Sequence, residues 1–412
     1  MKRKFFRLIS LLLLAAGTAW AGSFSDYYGT ASGWLTDPHT GLTSFPLLEI
    51  PLGGRAASMG NAYTAVPLDA GAMLANPAST ALLPLTQLSF SHNNWLADSS
   101  VESAAFTRRF GNWGAGVSAQ LLHLPFTAYN SFAETTAAAR IPEGVLALNA
   151  SYNFLSSYYF RGISVGANLK GAFRLVSPSL YEDITSESQS LASVMVDLGV
   201  ITQFNFLKFY PSRDRNVFVG VAVKNLGLPA KGDPLPSLAS AGLAYSPIRP
   251  LLVSFDFDYP FSLLPDVEAE KWYLSAGANL NVTDFFSVQT GFTYPGANPR
   301  FSLGSALDLE EMSILVNYTL DLATQLTTAD RFTLEAKMNL GDEGRAGLRD
   351  EVDQYFIEGL DSYAAGELER AVEYWKAALL LDPTFQPARE YLDIAEKTLN
   401  LYVQMDEMNR IE

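Results

Sequence analysis

From about residue 86 onward, short runs of the chain alternate between apolar and polar residues. In Trp272-Leu274-Ala276-Ala278-Leu280-Val282 every second residue is apolar, while the interleaved Ser275, Gly277, Asn279 and Asn281 are small or polar. The same period sets Trp113, Ala115, Val117, Ala119 and Leu121 against Gly114, Gly116, Ser118 and Gln120, and Phe255, Phe257 and Tyr259 against Asp256 and Asp258. Successive side chains of a strand point to opposite faces, so each run makes a strand with one greasy and one wet side. A soluble sandwich or propeller alternates too, but its polar face would carry far more Lys and Glu. The pattern predicts an all-β transmembrane barrel, closed so that every backbone group is paired without an exposed edge.

Strands are expected near residues 86–92, 101–109, 112–123, 144–155, 159–175, 190–205, 216–226, 237–246, 250–260, 271–282, 284–294, 299–309, 311–321 and 330–340, about fourteen antiparallel strands in all. Tilted by roughly 40°, strands of about ten residues cover the apolar band of such barrels. The links 110–111, 156–158, 246–248, 283 and 310 read as short inner turns, and 124–143, 176–189, 227–236, 261–270 and 322–329 as longer outer loops. The link 206–215, with Lys208, Arg213 and Arg215, breaks that order by being long on the short side. Aromatic residues gather at strand ends, among them Tyr158, Tyr159, Trp272, Tyr273 and Tyr294, where an apolar ring with a polar edge suits the bilayer interface.

The beginning of the chain supplies an address. Lys2-Arg3-Lys4, the apolar stretch from Leu8 to Ala16 and Ala19-Trp20-Ala21 follow the order of a signal peptide, residues 1–21. No later segment has the roughly 18 to 20 continuous apolar residues of a membrane-spanning helix, so a mature chain that crosses a bilayer does so with strands. The expected location is the outer membrane of a diderm bacterium, with lipid around the barrel. With no cysteine, disulfides, an N-terminal lipid anchor and thiol chemistry are excluded. The three histidines, His39, His92 and His123, have no metal-ligand spacing, no nucleophile elbow accompanies them, and no metal, cofactor or enzymatic activity is expected. A net charge of -15 argues against nucleic acid as a partner.

Two segments flank the strands. Residues 22–85 are too long for a tail and too ordered in composition for a linker; small residues in GGRAASMGNAYTAV, from Gly53, and LANPASTAL, from Leu74, allow close backbone approach, so this stretch is expected to fold as a plug inside the lumen. After the barrel (86–340) a Gly-rich acidic hinge (341–350) leads to residues 351–412, where the period becomes helical. Tyr355, Gly359, Tyr363, Gly366, Ala371, Trp375, Ala378 and Pro383 occupy the small and large positions of a helical hairpin, and an amphipathic helix near 385–407 follows. These residues resemble one tetratricopeptide (TPR) repeat, with Glu358 where Leu is usual. That resemblance implies a periplasmic all-α module in which Tyr355, Gly359, Tyr363, Ala371, Trp375 and Ala378 serve binding of a protein or peptide.

The residues from Gly53 to Ala62, then Asn76-Pro77-Ala78, and the strand count resemble the long-chain fatty-acid transporter (FadL-like) superfamily, its PorV/PorQ-like relatives and a group of uncharacterised spirochaete proteins. The likeness covers about residues 45–340. It implies a fourteen-stranded barrel with an Asn-Pro-Ala plug and a lateral exit for hydrophobic ligands. The expected function is transport of a hydrophobic small molecule such as a long-chain fatty acid. Gly53, Gly54, Arg55, Ser58, Met59, Gly60, Asn61, Asn76, Pro77 and Ala78 are the plug or ligand residues, and Lys170, Arg174, Asp197, Asp256, Asp258, Glu335 and Lys337 are lumenal charges open to a polar head group or to mutual pairing. The alternative is a PorV-like scaffold or secretion component that recruits a protein through the C-terminal helices.

Overall fold

The computed structural model describes residues 37, 39–96, 98–129, 132, 135–178, 188–265, 267–295, 299–322 and 330–409. The expected signal peptide lies outside them. Fourteen strands close into one antiparallel barrel in which every neighbour in sequence is a neighbour in space and the last strand pairs with the first. They are β1 (Gln87–Asn94), β2 (Ser100–Phe110), β3 (Trp113–Tyr129), β4 (Thr135–Phe154), β5 (Ile163–Arg174), β6 (Leu191–Phe204) and β7 (Val217–Gly227). The circle continues with β8 (Ser237–Ile248), β9 (Leu251–Phe261), β10 (Tyr273–Asn281), β11 (Phe286–Pro295), β12 (Arg300–Asp308), β13 (Met312–Asp321) and β14 (Arg331–Asn339).

Burial on the strands is inside out, with apolar side chains exposed on the outer surface and polar ones buried toward the lumen. Phe255 and Phe257 are exposed while Asp256 and Asp258 between them are buried, and Leu274 and Leu280 are exposed while Ser275 and Asn279 are buried. Among the described residues no helix is long and apolar enough to cross a membrane.

The link 124–143 corrects the sequence reading. It is not an irregular loop: β3 and β4 run on as a paired ladder, from Leu124↔Ile141 to Ala128↔Ala137, beyond the point where β2 and β5 stop. The Ala-rich stretch there lacks hydrophobic alternation, because a two-stranded ribbon standing past the barrel wall has no lumenal and outer face to distinguish. The turn expected at 156–158 is also longer, since β4 ends at Phe154 and β5 begins only at Ile163.

Both ends of the barrel chain lie at one rim, where Leu340 N–H donates to Thr86 O and Thr86 N–H to Gly341 O. The segment before β1 contains two short helices, α1 (Gly54–Ser58) and α2 (Ala72–Ala75), and at this rim the last strand leads into three longer ones, α3 (Arg345–Ala364), α4 (Leu368–Leu381) and α5 (Gln386–Asn409). Trp375 is fully buried among them, and a side chain at Gly359 would collide with its indole, so glycine lets α3 and α4 approach. Ala371 and Ala378 are fully buried and Tyr363 packs on Trp375, with ring centroids 5.7 Å apart. These residues form the helices' own core. The expectation that Gly359, Ala371, Trp375 and Ala378 touch a partner is therefore corrected, because a buried side chain cannot meet one; Tyr355 and Tyr363 are half-buried in the same cluster.

The anomalous link 206–215 faces these helices. Arg213 pairs with Asp353 and stacks over Phe385 at 4.5 Å, Asp214 pairs with Arg349 at 3.0 Å, and Arg215 donates to the carbonyls of Tyr158 and Tyr159. Tyr158 packs on Phe385 and Tyr159 Oη donates to Glu390. Its length and charge thus serve a docking surface rather than a turn.

Candidate functional site

The lumen is occupied by the segment that precedes β1. Its regular pieces are short: the 3-10 turns Pro46–Glu49 and Pro77–Ala81 and the helices α1 (Gly54–Ser58) and α2 (Ala72–Ala75). Phe45, Leu47, Met59, Tyr63, Ala72 and Met73 are all at most 1% exposed. The segment is held because inward positions of the wall are empty of side chains. Gly114, Gly166, Gly199, Gly220, Gly242, Gly277, Gly291 and Gly304 stand on β3, β5, β6, β7, β8, β10, β11 and β12, and a carbon added at any of them would strike residues 58–81. Gly291 faces the backbone of Met59 and Gly60, and Gly166 the backbone of Pro77. On β4 and β9 hydrogen bonds do the same work: Asn149 Nδ2 donates to Pro77 O at 2.9 Å, and Asp256 accepts the N–H groups of Tyr63 and Thr64, both at 2.8 Å.

Asn76 organises one side of this packing. Its Oδ1 caps the following turn by accepting from Ala78 N–H at 3.1 Å, while its Nδ2 lies 2.9 Å from Thr64 O and 3.3 Å from the strand carbonyls of Val200 and Val221. Pro77 at the first helical position has no N–H to satisfy. Gly60 and Asn61 turn the chain with φ of 63° and 64°, a left-handed conformation that favours these residue types. Ser58 donates to Gly54 O at 2.7 Å.

The other side is electrostatic. Lys337 Nζ is 2.5 Å from Asp69 Oδ2 and 3.5 Å from Glu335, Glu335 accepts from Gly54 N–H at 2.8 Å, and Arg55 is 3.6 Å from Asp69 and 3.4 Å from Asp308. Burial opposes ionisation of Asp69, but Lys337 and Arg55 outweigh it and hold the carboxyl below its usual range. Elsewhere Lys170 pairs with Asp197 at 2.8 Å, where a register shift in β6 turns Asp197 toward Asn225 N–H, and Arg174 pairs with Glu143 at 2.6 Å. Ser240 donates to Asp258. Each of the seven lumenal charges named from the sequence thus meets a protein partner.

Toward the rim opposite the helices, the segment forms the floor of a cavity of about 350 Å³. Leu42, Leu48, Leu74 and Leu235 supply apolar lining, and Glu49, Lys224, Glu270 and Arg300 supply charge. Glu49 is wetted by the cavity but enclosed by the wall; burial, then Glu270, push its carboxyl up to about 7, against Arg300. Volumes of roughly 300 to 1,000 Å³ accept small-molecule ligands. Asp69, Glu143, Trp95, Arg300, Arg331 and the wall glycines are contributors that sequence reading did not single out. Asp69 sits in irregular chain with no periodicity to mark it, whereas the recurrence of glycine on the wet face was a usable signal. Among the described residues no three His, Cys, Asp or Glu side chains converge as a metal cage.

The family model described as "Uncharacterised protein family (UPF0164)" matches residues 30–343, which span the lumenal segment and the whole barrel. The chain belongs to this family. A UPF0164 protein of Treponema pallidum (strain Nichols) is 26% identical over 416 residues, covering 97% of this chain and 94% of the relative. Another from the same organism is 32% identical over 186 residues, covering 44% of this chain and 53% of the relative. Among solved structures, "TodX monoaromatic hydrocarbon channel deltaS2 mutant" superposes with a TM-score of 0.52 at 11% identity, covering 72% of this chain and 100% of that one. At that identity the likeness is one of fold. The expected spirochaete relatives and fourteen-stranded barrel are borne out.

Proposed function

We propose that this chain is an outer-membrane channel for hydrophobic small molecules, with residues 22–85 acting as its plug and the cavity above it as the receiving site. The single observation that carries this reading is the pairing of a lumen filled by residues 44–83 with a 350 Å³ chamber on one side of that filling. The chamber offers leucine and proline side chains beside a comparable number of charged ones, which suits a molecule with an apolar body and a polar end, such as a fatty acid. The fold shared with a barrel titled as a monoaromatic hydrocarbon channel agrees with an apolar substrate. In this reading the helical rim faces the periplasm and α3 to α5 form a TPR-like module.

Lipid extraction and mass spectrometry of the purified barrel, with uptake measured for the wild type, Arg55→Ala and a deletion of 53–62, tests it. A retained apolar compound and altered uptake through an assembled barrel are expected. An empty chamber with unchanged uptake in the deletion would refute it. A second reading, a scaffold that recruits a protein, is favoured by one observation: Leu401, Tyr402, Val403 and Met405 near the end of α5 are all more than half exposed. Capture of a partner that depends on residues 346–412 would support it.

A further inference from the structure

The wall glycines are missing singly on β4 and β9, where hydrogen bonds replace them, and over one longer run, β13, β14, β1 and β2. Following the register laterally from Gly304 on β12, the partner on β13 is Asn317, the partner of Asn317 on β14 is Thr333, and the partner of Thr333 on β1 is Asn93. All three are inward and at most 5% exposed. Asn317 Oδ1, Thr333 Oγ1 and Asn93 Oδ1 have no hydrogen-bond partner among the described residues, and Arg300 Nε and Arg331 Nε just above them have none either. A buried polar atom left unpaired is costly, so five in one place mark a polar seam. A cavity of about 20 Å³ lies between this wall and the segment, lined by Asn61, Asn93, Asn317 and Thr333, with Arg300, Arg331 and Trp95 common to it and the larger chamber. That volume is enough for a water, which needs about 10 to 15 Å³ and two to four polar partners.

We infer that the seam along β13, β14 and β1 is a hydrated site for water and small hydrogen-bonding solutes, and that it is the route past the lumenal segment, latched by Asp69, Lys337, Glu335 and Arg55. At the glycine notches the segment itself takes up the space, with backbone at Gly166 and Gly291 and the side chains of Asn76 and Ser58 at Gly199 and Gly304. The latch lies at the helix-side end of the seam: Glu335 and Lys337 follow Thr333 on β14 toward the rim that carries Leu340, and Glu335 grips α1 at Gly54. Release of the latch frees α1 from β13 and β14 while Asn76 and the glycines keep residues 72–81 in place. The path is polar because its lining is amide, hydroxyl and guanidinium.

The chain contains no cysteine, so single thiols report on the route without background. Asn317→Cys and Thr333→Cys, with Ser151→Cys on β4, a buried position packed against Thr80, as the control, are treated in detergent with a small cationic methanethiosulfonate. Folding is checked by heat-modifiability on gels. The two seam thiols are expected to react at least about tenfold faster than the Ser151 site, and Asp69→Asn, added to each seam variant, to raise that rate several-fold further. Equal rates at all three positions, or a faster Ser151 site, would overturn the assignment of the route. An unchanged rate with Asp69→Asn would overturn the latch. If a seam variant fails to fold, Ser302→Cys, next to the seam on β12, replaces it. The measurement uses no apolar ligand, so its outcome is independent of the transport reading.

Discussion

Two arcs of the same lumen hold the same segment by different physics. From β3 round to β12 the wall offers mostly glycine notches into which the segment packs, with Asn149 and Asp256 bonding its backbone between them; along β13, β14 and β1 it offers amides, hydroxyls and a buried cluster of ions. Close packing has no second arrangement of similar energy, since shifting backbone out of one notch drives it into a wall. An ion cluster can exchange partners, including water, and its strength depends on keeping every member. The lesson is that a filled barrel can be rigid on one side and releasable on the other without any hinge visible in its secondary structure.

The largest effect is expected from Lys337→Met, which leaves Asp69 and Glu335 buried without their shared cation. Removing one partner of a buried pair typically costs about 3 to 5 kcal/mol; the temperature of the folded-to-unfolded gel shift should drop well below wild type, and a wild-type value would dissolve the contrast between the arcs. Next is Gly291→Val, whose side chain would displace the backbone of Met59 and Gly60. Overpacking costs about 1 to 3 kcal/mol, whereas Thr333→Val at the seam should be tolerated; the two proteins compared by urea midpoint sharpen the distinction.

The smallest effect concerns pH. The carboxyl of Glu49 is raised from 4.5 to about 7 in the folded chain, so between those values the folded state binds more protons than the unfolded one and stability falls as pH rises. Glu49→Gln should flatten heat resistance between pH 5 and pH 7. Asp69 has the opposite sign: its carboxyl is held low, so its contribution is present above the unfolded value of 3.8 and is lost only in stronger acid. A latch that loosened near neutrality would contradict this.

Much of the wall was legible because a period of two is imposed by strand geometry and by apolar side chains on the outer face against polar ones on the inner face. Trp272 to Val282 declared its two faces before any neighbour was known, and fourteen strands followed from repetition of that signal. The extension of β3 and β4 was not legible, because a ladder free of neighbouring strands imposes no alternation on Phe126 or the alanines after Thr135. Asn76-Pro77-Ala78 was visible as a turn, but the carbonyls it would meet on β6 and β7 were not.

By itself, the sequence determined which strand residues point outward, the approximate place of each strand along the chain and the helical character of the end of the chain. Each of these follows from local periodicity. Only the tertiary structure decided that Asp69 meets Lys337 across 268 residues, that Trp375 belongs to a core and not to a binding surface, and that the notch on β12 has no counterpart on β13. Those facts depend on which strand lies beside which and on where an irregular segment comes to rest, and neither is written in the spacing of residues along one strand.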